Sequence, residues 1–416
     1  MKDKQAKIKK IKKGLKLAAL GLLISATITS AVGCRNVKYD EYASTSEIVS
    51  VMDELDCDAS YLTKYGDKYL QMEHNGDEPI YVCFDNSLTK EEIESAKKSL
   101  DEIFGIMGRI NKNYKYEIVD TSVYNSKLNR TKIYYRAADI NVTDLKHSSA
   151  FIVRNPSLLS FLTNKRVYNN YNIVYNRLNY IDDEYRDYIF MHELFHAFGA
   201  DDIYSMENGV RAKPKAIKTI MDTDYGDGTS KLSPNDVKCL ISLYQEKKNS
   251  KDEQEKYLDE MNEFLQEYEK EYYSTFANKC KEKTNYGYTF DERKVNIVSS
   301  IDILVGKEKW NSFKYDVKIL DNKYKFTIKK ETGKVLDSCT GEVVWMNDVA
   351  ILKDVTLQDG LYPEMPEGYV KFQEFVQDLA VLKNDQNNLY LYDLGTNLLW
   401  PTETLVLSHT DNIVGV

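Results

Sequence analysis

His192 and His196 stand four residues apart, Glu193 follows the first of them, and Gly199 and Asp202 come three and six residues after the second. No other feature of the chain constrains its local folding as tightly. Residues i and i+4 share one face of a helix, so both imidazoles can point at a single ion. Ile189, Phe190, Leu194, Phe195 and Phe198 supply the apolar positions of that helix, which the spacing predicts over Glu184–Phe198. Gly199 is the expected stop. A glycine accepts a left-handed backbone, so the chain can turn back and bring Asp202 toward the two imidazoles.

That arrangement matches what a catalytic zinc ion needs: three protein ligands, here His192, His196 and Asp202, and one open position. Asp201 stands beside Asp202 as the alternative third ligand. Glu193 lies off the ligand face, where it can take the proton of a water acidified by the metal and pass it to a leaving amine. A single histidine on a helix is more often a core residue than a ligand. Here two of only five histidines fall at ligand spacing, extended by a glycine and an acid.

The extended segment His192-Glu193-Leu194-Phe195-His196-Ala197-Phe198-Gly199-Ala200-Asp201-Asp202 resembles the metzincin clan of zinc peptidases, in its HExxHxxGxxD form. That form is similar to the snapalysin-type bacterial metallopeptidases. The resemblance implies a methionine turn beneath the metal, and Thr219-Ile220-Met221-Asp222 stands in the right place for it, with Met221 as its methionine. It implies an α+β catalytic domain, with a twisted mixed sheet, an active-site helix and a C-terminal helix. It further implies that an extended peptide pairs antiparallel with an edge strand just before the active-site helix. Asn172–Asn176 is the candidate, with Ile173, Val174 and Tyr175 as substrate-binding residues. The tyrosine that assists the oxyanion in some clan members is not carried over, because Thr223 occupies its position.

The N-terminus reads as a targeting segment. Lys2–Lys16 holds eight lysines and one acid, Leu17–Thr29 is apolar, and Ser30-Ala31-Val32-Gly33 precedes Cys34. The order resembles a bacterial lipoprotein signal over residues 1–33, which implies lipidation of Cys34 and an extracytoplasmic, membrane-tethered protein. Eight lysines and Asp3 give that segment a net +7, so without it the formal charge moves from −9 to −16. An acidic body argues against nucleic acid as a partner.

Residues 34–78 begin polar and read as a tether or N-terminal segment. The peptidase-like domain is expected over 79–248, with strands at Ile80–Phe84, Tyr114–Val119, Lys132–Arg136 and Asn172–Asn176. A helix should open at Thr89 with Glu92 as its capping-box partner. Another should open at Ser233-Pro234. A helical linker is expected over 249–283. From 284 to 416 the pattern shifts to period two, as in Tyr315, Val317 and Ile319, with a hairpin turn at Asp321-Asn322. This is read as a mostly β accessory domain, sandwich-like or meander, whose own residues carry no chemical motif.

Other features point less far. The acidic run Asp222-Thr223-Asp224-Tyr225-Gly226-Asp227-Gly228 has the look of a structural calcium loop, but Asp227 stands where the EF-hand register requires glycine. None of the five cysteines after Cys34 forms a CxxC pair, which argues against a cysteine-based zinc site. Cys57 invites comparison with cysteine switches that cap zinc, although its neighbours differ from that motif. The leading expectation is a membrane-anchored zinc endopeptidase acting on extended peptides or proteins. The alternative is a surface-binding lipoprotein that uses its β region for adhesion on a peptidase-like scaffold.

Overall fold

The computed structural model of the chain describes residues 44–65, 68–72, 78–127, 130–140, 150–156, 168–178, 183–203, 205–207, 210–213, 218–221, 230–246, 248–285, 313–320, 322–330, 332–346, 349–358, 371–372, 374–383, 389–393, 398–409 and 412–414. The leader with Cys34 and the acidic run 222–228 lie outside the described residues.

Helix α1 (Thr45–Glu54) opens on a capping box between Ser44 and Glu47 and buries Ile48, Val51 and Met52. Two short paired strands follow, β1 (Lys64–Tyr65) and β2 (Lys68–Tyr69). From Ser44 onward the N-terminal segment is part of the main core, through α1 and through Tyr61, Leu62 and Met72. Its polar composition concealed this, because a single helix face and a few isolated residues do the packing.

A five-stranded sheet comes next in the chain. It contains β3 (Ile80–Phe84), β4 (Tyr116–Ile118), β5 (Lys132–Ala138), β6 (Ala150–Pro156) and β7 (Tyr168–Asn176). Helix α2 (Lys90–Ile110) connects β3 to β4, and α3 (Thr121–Ser126) connects β4 to β5. Thr89 and Glu92 cap α2 reciprocally, as their spacing predicts. The strand order is β4-β3-β5-β7-β6. Four strands run parallel and β6 runs antiparallel to β7. This overturns the assignment of Ile173, Val174 and Tyr175 to an edge. Strand β7 lies between β5 and β6, and those three side chains are buried. The edge is β6, which pairs with β7 alone among the described residues.

Helix α4 (Asp183–Ala197) carries the two histidines and packs on α2 and β6. Phe190 stacks on Tyr175, and Phe198, just past the helix, meets Phe104 of α2 edge-on at 5.7 Å between ring centres. A hairpin of β8 (Ser205–Glu207) and β9 (Val210–Lys213) follows, then α5 (Pro234–Tyr244), which Ser233 caps with Pro234 at its first turn.

Helix α6 (Lys251–Asn285) occupies the stretch read as a helical linker. Over its 35 residues, about 50 Å of helix, Leu258, Met261, Leu265, Tyr272 and Phe276 form a buried stripe. Each such side chain contributes about 1.5–3 kcal/mol by leaving water. The same core takes in Val349, Ile351, Ala380, Leu382 and Tyr392 from the C-terminal strands. The β region is therefore welded to the rest of the molecule through α6.

That region is one antiparallel meander that curls on itself. It comprises β10 (Phe313–Leu320), β11 (Lys323–Lys330), β12 (Val335–Met346), β13 (Val349–Gln358), β14 (Lys371–Phe372), β15 (Glu374–Lys383), β16 (Leu389–Asp393), β17 (Leu398–His409) and β18 (Asn412–Val414). Seven consecutive antiparallel pairings link all but β14, and β17 also pairs in parallel with β10. Asn322, at φ 61°, sits in the first hairpin turn where the sequence placed it. Strand β14 leaves this sheet and pairs with β9 instead.

Candidate metal centre

Helix α4 presents His192 and His196 on one face, with ring centres 4.9 Å apart. The Nδ1 of His192 lies 2.9 Å from the carbonyl oxygen of Ile220, and the Nδ1 of His196 lies 2.9 Å from that of Ala200. A carbonyl only accepts, so each Nδ1 carries a proton, which leaves each Nε2 as the nitrogen that a metal ion could take. Both rings are thus fixed in tautomer and in direction.

Beyond α4 the chain turns at Gly199, whose φ is +105°. The N-terminal segment holds this turn from below. Thr63 N–H donates to the Gly199 carbonyl at 2.8 Å, Ala200 bridges to Leu62, and Asp201 N–H donates to the Tyr61 carbonyl at 2.8 Å. Asp202 then returns to the histidines. Its Oδ1 lies 3.1 Å from His192 Nε2 and 3.6 Å from His196 Nε2. Zinc bonds of about 2.0–2.1 Å in a tetrahedron separate ligand atoms by roughly 3.3–3.4 Å, so these spacings fit one small cation. Asp201 is 55% exposed and faces Arg154 at 3.8 Å, which leaves Asp202 as the acid at the histidines.

Glu193 belongs to the same cluster. His192, Glu193 and His196 offer ligand atoms all within 4.8 Å of one another, a buried group able to hold a metal ion. Oε2 of Glu193 is buried and has no hydrogen-bond partner, an arrangement that costs free energy unless something else fills the place. Burial, reinforced by the charge of Asp202 and opposed by His192 and Arg154, raises its pKa from 4.5 to about 7. Burial and the neighbouring His192 push His196 down to about 3. His192 moves the other way. Burial opposes its charge, but the Asp202 hydrogen bond and the Glu193 and Asp202 carboxylates outweigh it.

Two further contacts set this geometry, and neither was foreseen from sequence. Arg154 of β6 donates through Nη2 to the carbonyls of His196 at 2.8 Å and Ala200 at 3.1 Å. It caps the end of α4 where the helix gives way to the turn, and it ties that end to the edge strand. Asp236 of α5 is fully buried and gathers the turn at Thr219–Met221. It accepts from Ile220 N–H at 2.9 Å, Ser233 N–H at 2.8 Å, Tyr61 O–H at 2.6 Å and the Thr219 hydroxyl. The serine at 233 with an acid three residues on was a visible capping-box pattern. Nothing in the sequence tied that acid to residues 219 and 220. Met221 itself is wholly buried in this turn, and the carbonyl of Ile220, one residue before it, is the one that orients His192.

Cys57 packs against Cys239 of α5, with sulfurs 2.8 Å apart. The structure thus places its sulfur against α5 and not at the histidines, which removes the cysteine-switch comparison.

Comparison with protein-family models, with curated proteins and with solved structures found no match to this chain.

Proposed function

We propose that the chain is a zinc metalloendopeptidase of metzincin type, held at the outer face of the cell membrane by a lipid on Cys34. One observation carries the reading: two imidazole Nε2 atoms and the Asp202 carboxylate meet at 3.1 and 3.6 Å beside a buried, unpartnered Glu193 oxygen. A single zinc ion held by His192, His196 and Asp202 would supply a Lewis acid that polarises the scissile carbonyl and acidifies water. Glu193 is the general base. It takes a proton from the attacking water and returns it to the leaving amine.

The substrate is an extended peptide. It adds to the open side of β6 as a further antiparallel strand, so the backbone supplies most of its hydrogen bonds. Arg154 of that strand also caps α4, so peptide and metal ligands are referred to one rigid element. Among the described residues, no helix is long and apolar enough to cross a membrane.

The test is cleavage of an unstructured protein such as casein by the purified chain. Activity should vanish on dialysis against a zinc chelator and return when one equivalent of zinc is restored. Cleavage that is indifferent to the chelator would remove the metal from the mechanism.

A further inference from the structure

The C-terminal β region makes two contacts with the segment between Asp202 and Met221. First, β14 pairs in parallel with β9, with Lys371 opposite Ala212 and Phe372 opposite Lys213. Second, Lys218 reaches into the β region just before the turn that holds His192. Its Nζ lies 2.9 Å from both oxygens of Asp378 on β15 and 2.8 Å from Asp354 Oδ1 on β13. Tyr273 of α6 adds its hydroxyl at 3.3 Å. The Asp378 side chain is only 1% exposed, and its Oδ1 also accepts the Asp354 backbone N–H at 2.9 Å.

A charged lysine this deep needs its partners, because removing one strands the other in low dielectric. The consequence reaches the metal site over two residues of chain and one hydrogen bond. Lys218 is held by the β region, its carbonyl accepts from Ser233 at 2.8 Å, Thr219 and Ile220 are held by Asp236, and the Ile220 carbonyl accepts from His192. Groups that orient a ligating histidine through its second nitrogen change metal affinity by about 10–100-fold when lost.

We propose that Asp378 and Asp354 are positioning residues for the metal centre, acting through Lys218 to fix the turn whose Ile220 carbonyl aims His192. This makes the β region a working part of the metal site, in place of an appended binding module. The effect on zinc rests on the peptidase reading above, whereas the ordering of the turn does not.

The experiment uses the full chain with Asp378→Asn, Lys218→Met, the double variant, Lys218→Arg and, as control, Tyr324→Phe. The control removes a hydrogen bond to the Lys353 carbonyl inside the same β region without touching Lys218. Zinc affinity is read by competition with a chromogenic chelator, and the order of the turn by hydrogen exchange in the peptide spanning 218–221. Asp378→Asn and Lys218→Met should each weaken zinc about tenfold or more and speed exchange at 218–221. The double variant should be no worse than the weaker single, as expected of partners in one interaction. Lys218→Arg should recover most of both signals, and it carries the comparison if Asp378→Asn fails to fold. Tyr324→Phe should leave both within twofold. Unchanged exchange and affinity in Asp378→Asn and Lys218→Met, even with a lowered melting temperature, would overturn the proposal. A wild-type chain that binds no zinc would instead defeat the peptidase reading, and exchange at 218–221 would still decide the positioning role.

Discussion

Gly199→Ala is expected to lose about 3–5 kcal/mol of stability, and most of its metal affinity with it. Two causes add. The backbone φ of +105° is one that side-chain-bearing residues rarely adopt. A methyl group there would also overlap the carbonyl oxygen of Leu70 and lie 3.1 Å from its carbonyl carbon. Those atoms are main chain, and the segment that carries them is pinned. Leu70 N–H donates to the Thr63 carbonyl at 2.9 Å, and Met72 N–H donates to the Tyr244 hydroxyl at 2.7 Å. The clash is therefore relieved by moving the turn, and Asp202 moves with it. Denaturant unfolding of the zinc-free protein measures the first effect, and zinc titration of the folded fraction measures the second. A variant with wild-type values in both would mean that Asp202 does not depend on this turn.

Glu193→Gln should lower kcat by about 10²–10⁴-fold, the range for removing a general base. The same change should stabilise the metal-free protein at neutral pH. The folded pKa of Glu193, about 7, lies above its ordinary 4.5. The folded state thus binds the proton more tightly than the unfolded state. Its contribution is fully present below about pH 4.5 and is lost as pH rises through 7. The loss amounts to about 3 kcal/mol. Glutamine does not titrate, so its stability should stay flatter across that window. Unfolding midpoints of the chelated proteins between pH 4 and 8 give the comparison. Parallel curves would show that Glu193 is not held in the buried, unpartnered state described above. Opposite signs for stability and turnover are what a group kept at a cost for its chemistry should produce.

The candidate site was legible in the sequence because its geometry is local. A helix face and a glycine turn bring His192, His196 and Asp202 together from eleven consecutive residues. The capping box at Thr89 and the Ser233-Pro234 start of α5 were legible for the same reason. What stayed hidden was set by pairing between distant segments. Strand β6 has only a short apolar run, Phe151-Ile152-Val153, before Arg154, and nothing in it announces an antiparallel edge. The resemblance placed the edge just before the active-site helix and so put it on β7, although the buried Ile173, Val174 and Tyr175 are the mark of an interior strand. The segment from Ser44 to Met72 showed only partial order in its sequence because its packing residues are few. Their importance comes from lying under Gly199. Lys218, Asp354 and Asp378 are spread over 160 residues, and only the fold makes them neighbours.

X-ray absorption at the zinc edge, on protein purified without a metal-affinity tag and washed with a weak chelator, addresses the central claim most directly. The account predicts one tightly held zinc per chain. Its first shell should contain only nitrogen and oxygen at about 2.0–2.1 Å, with the outer-shell scattering of two imidazoles. That scattering should fall to one imidazole in His196→Ala. A sulfur neighbour at about 2.3 Å, or no zinc retained by the folded chain, would contradict it.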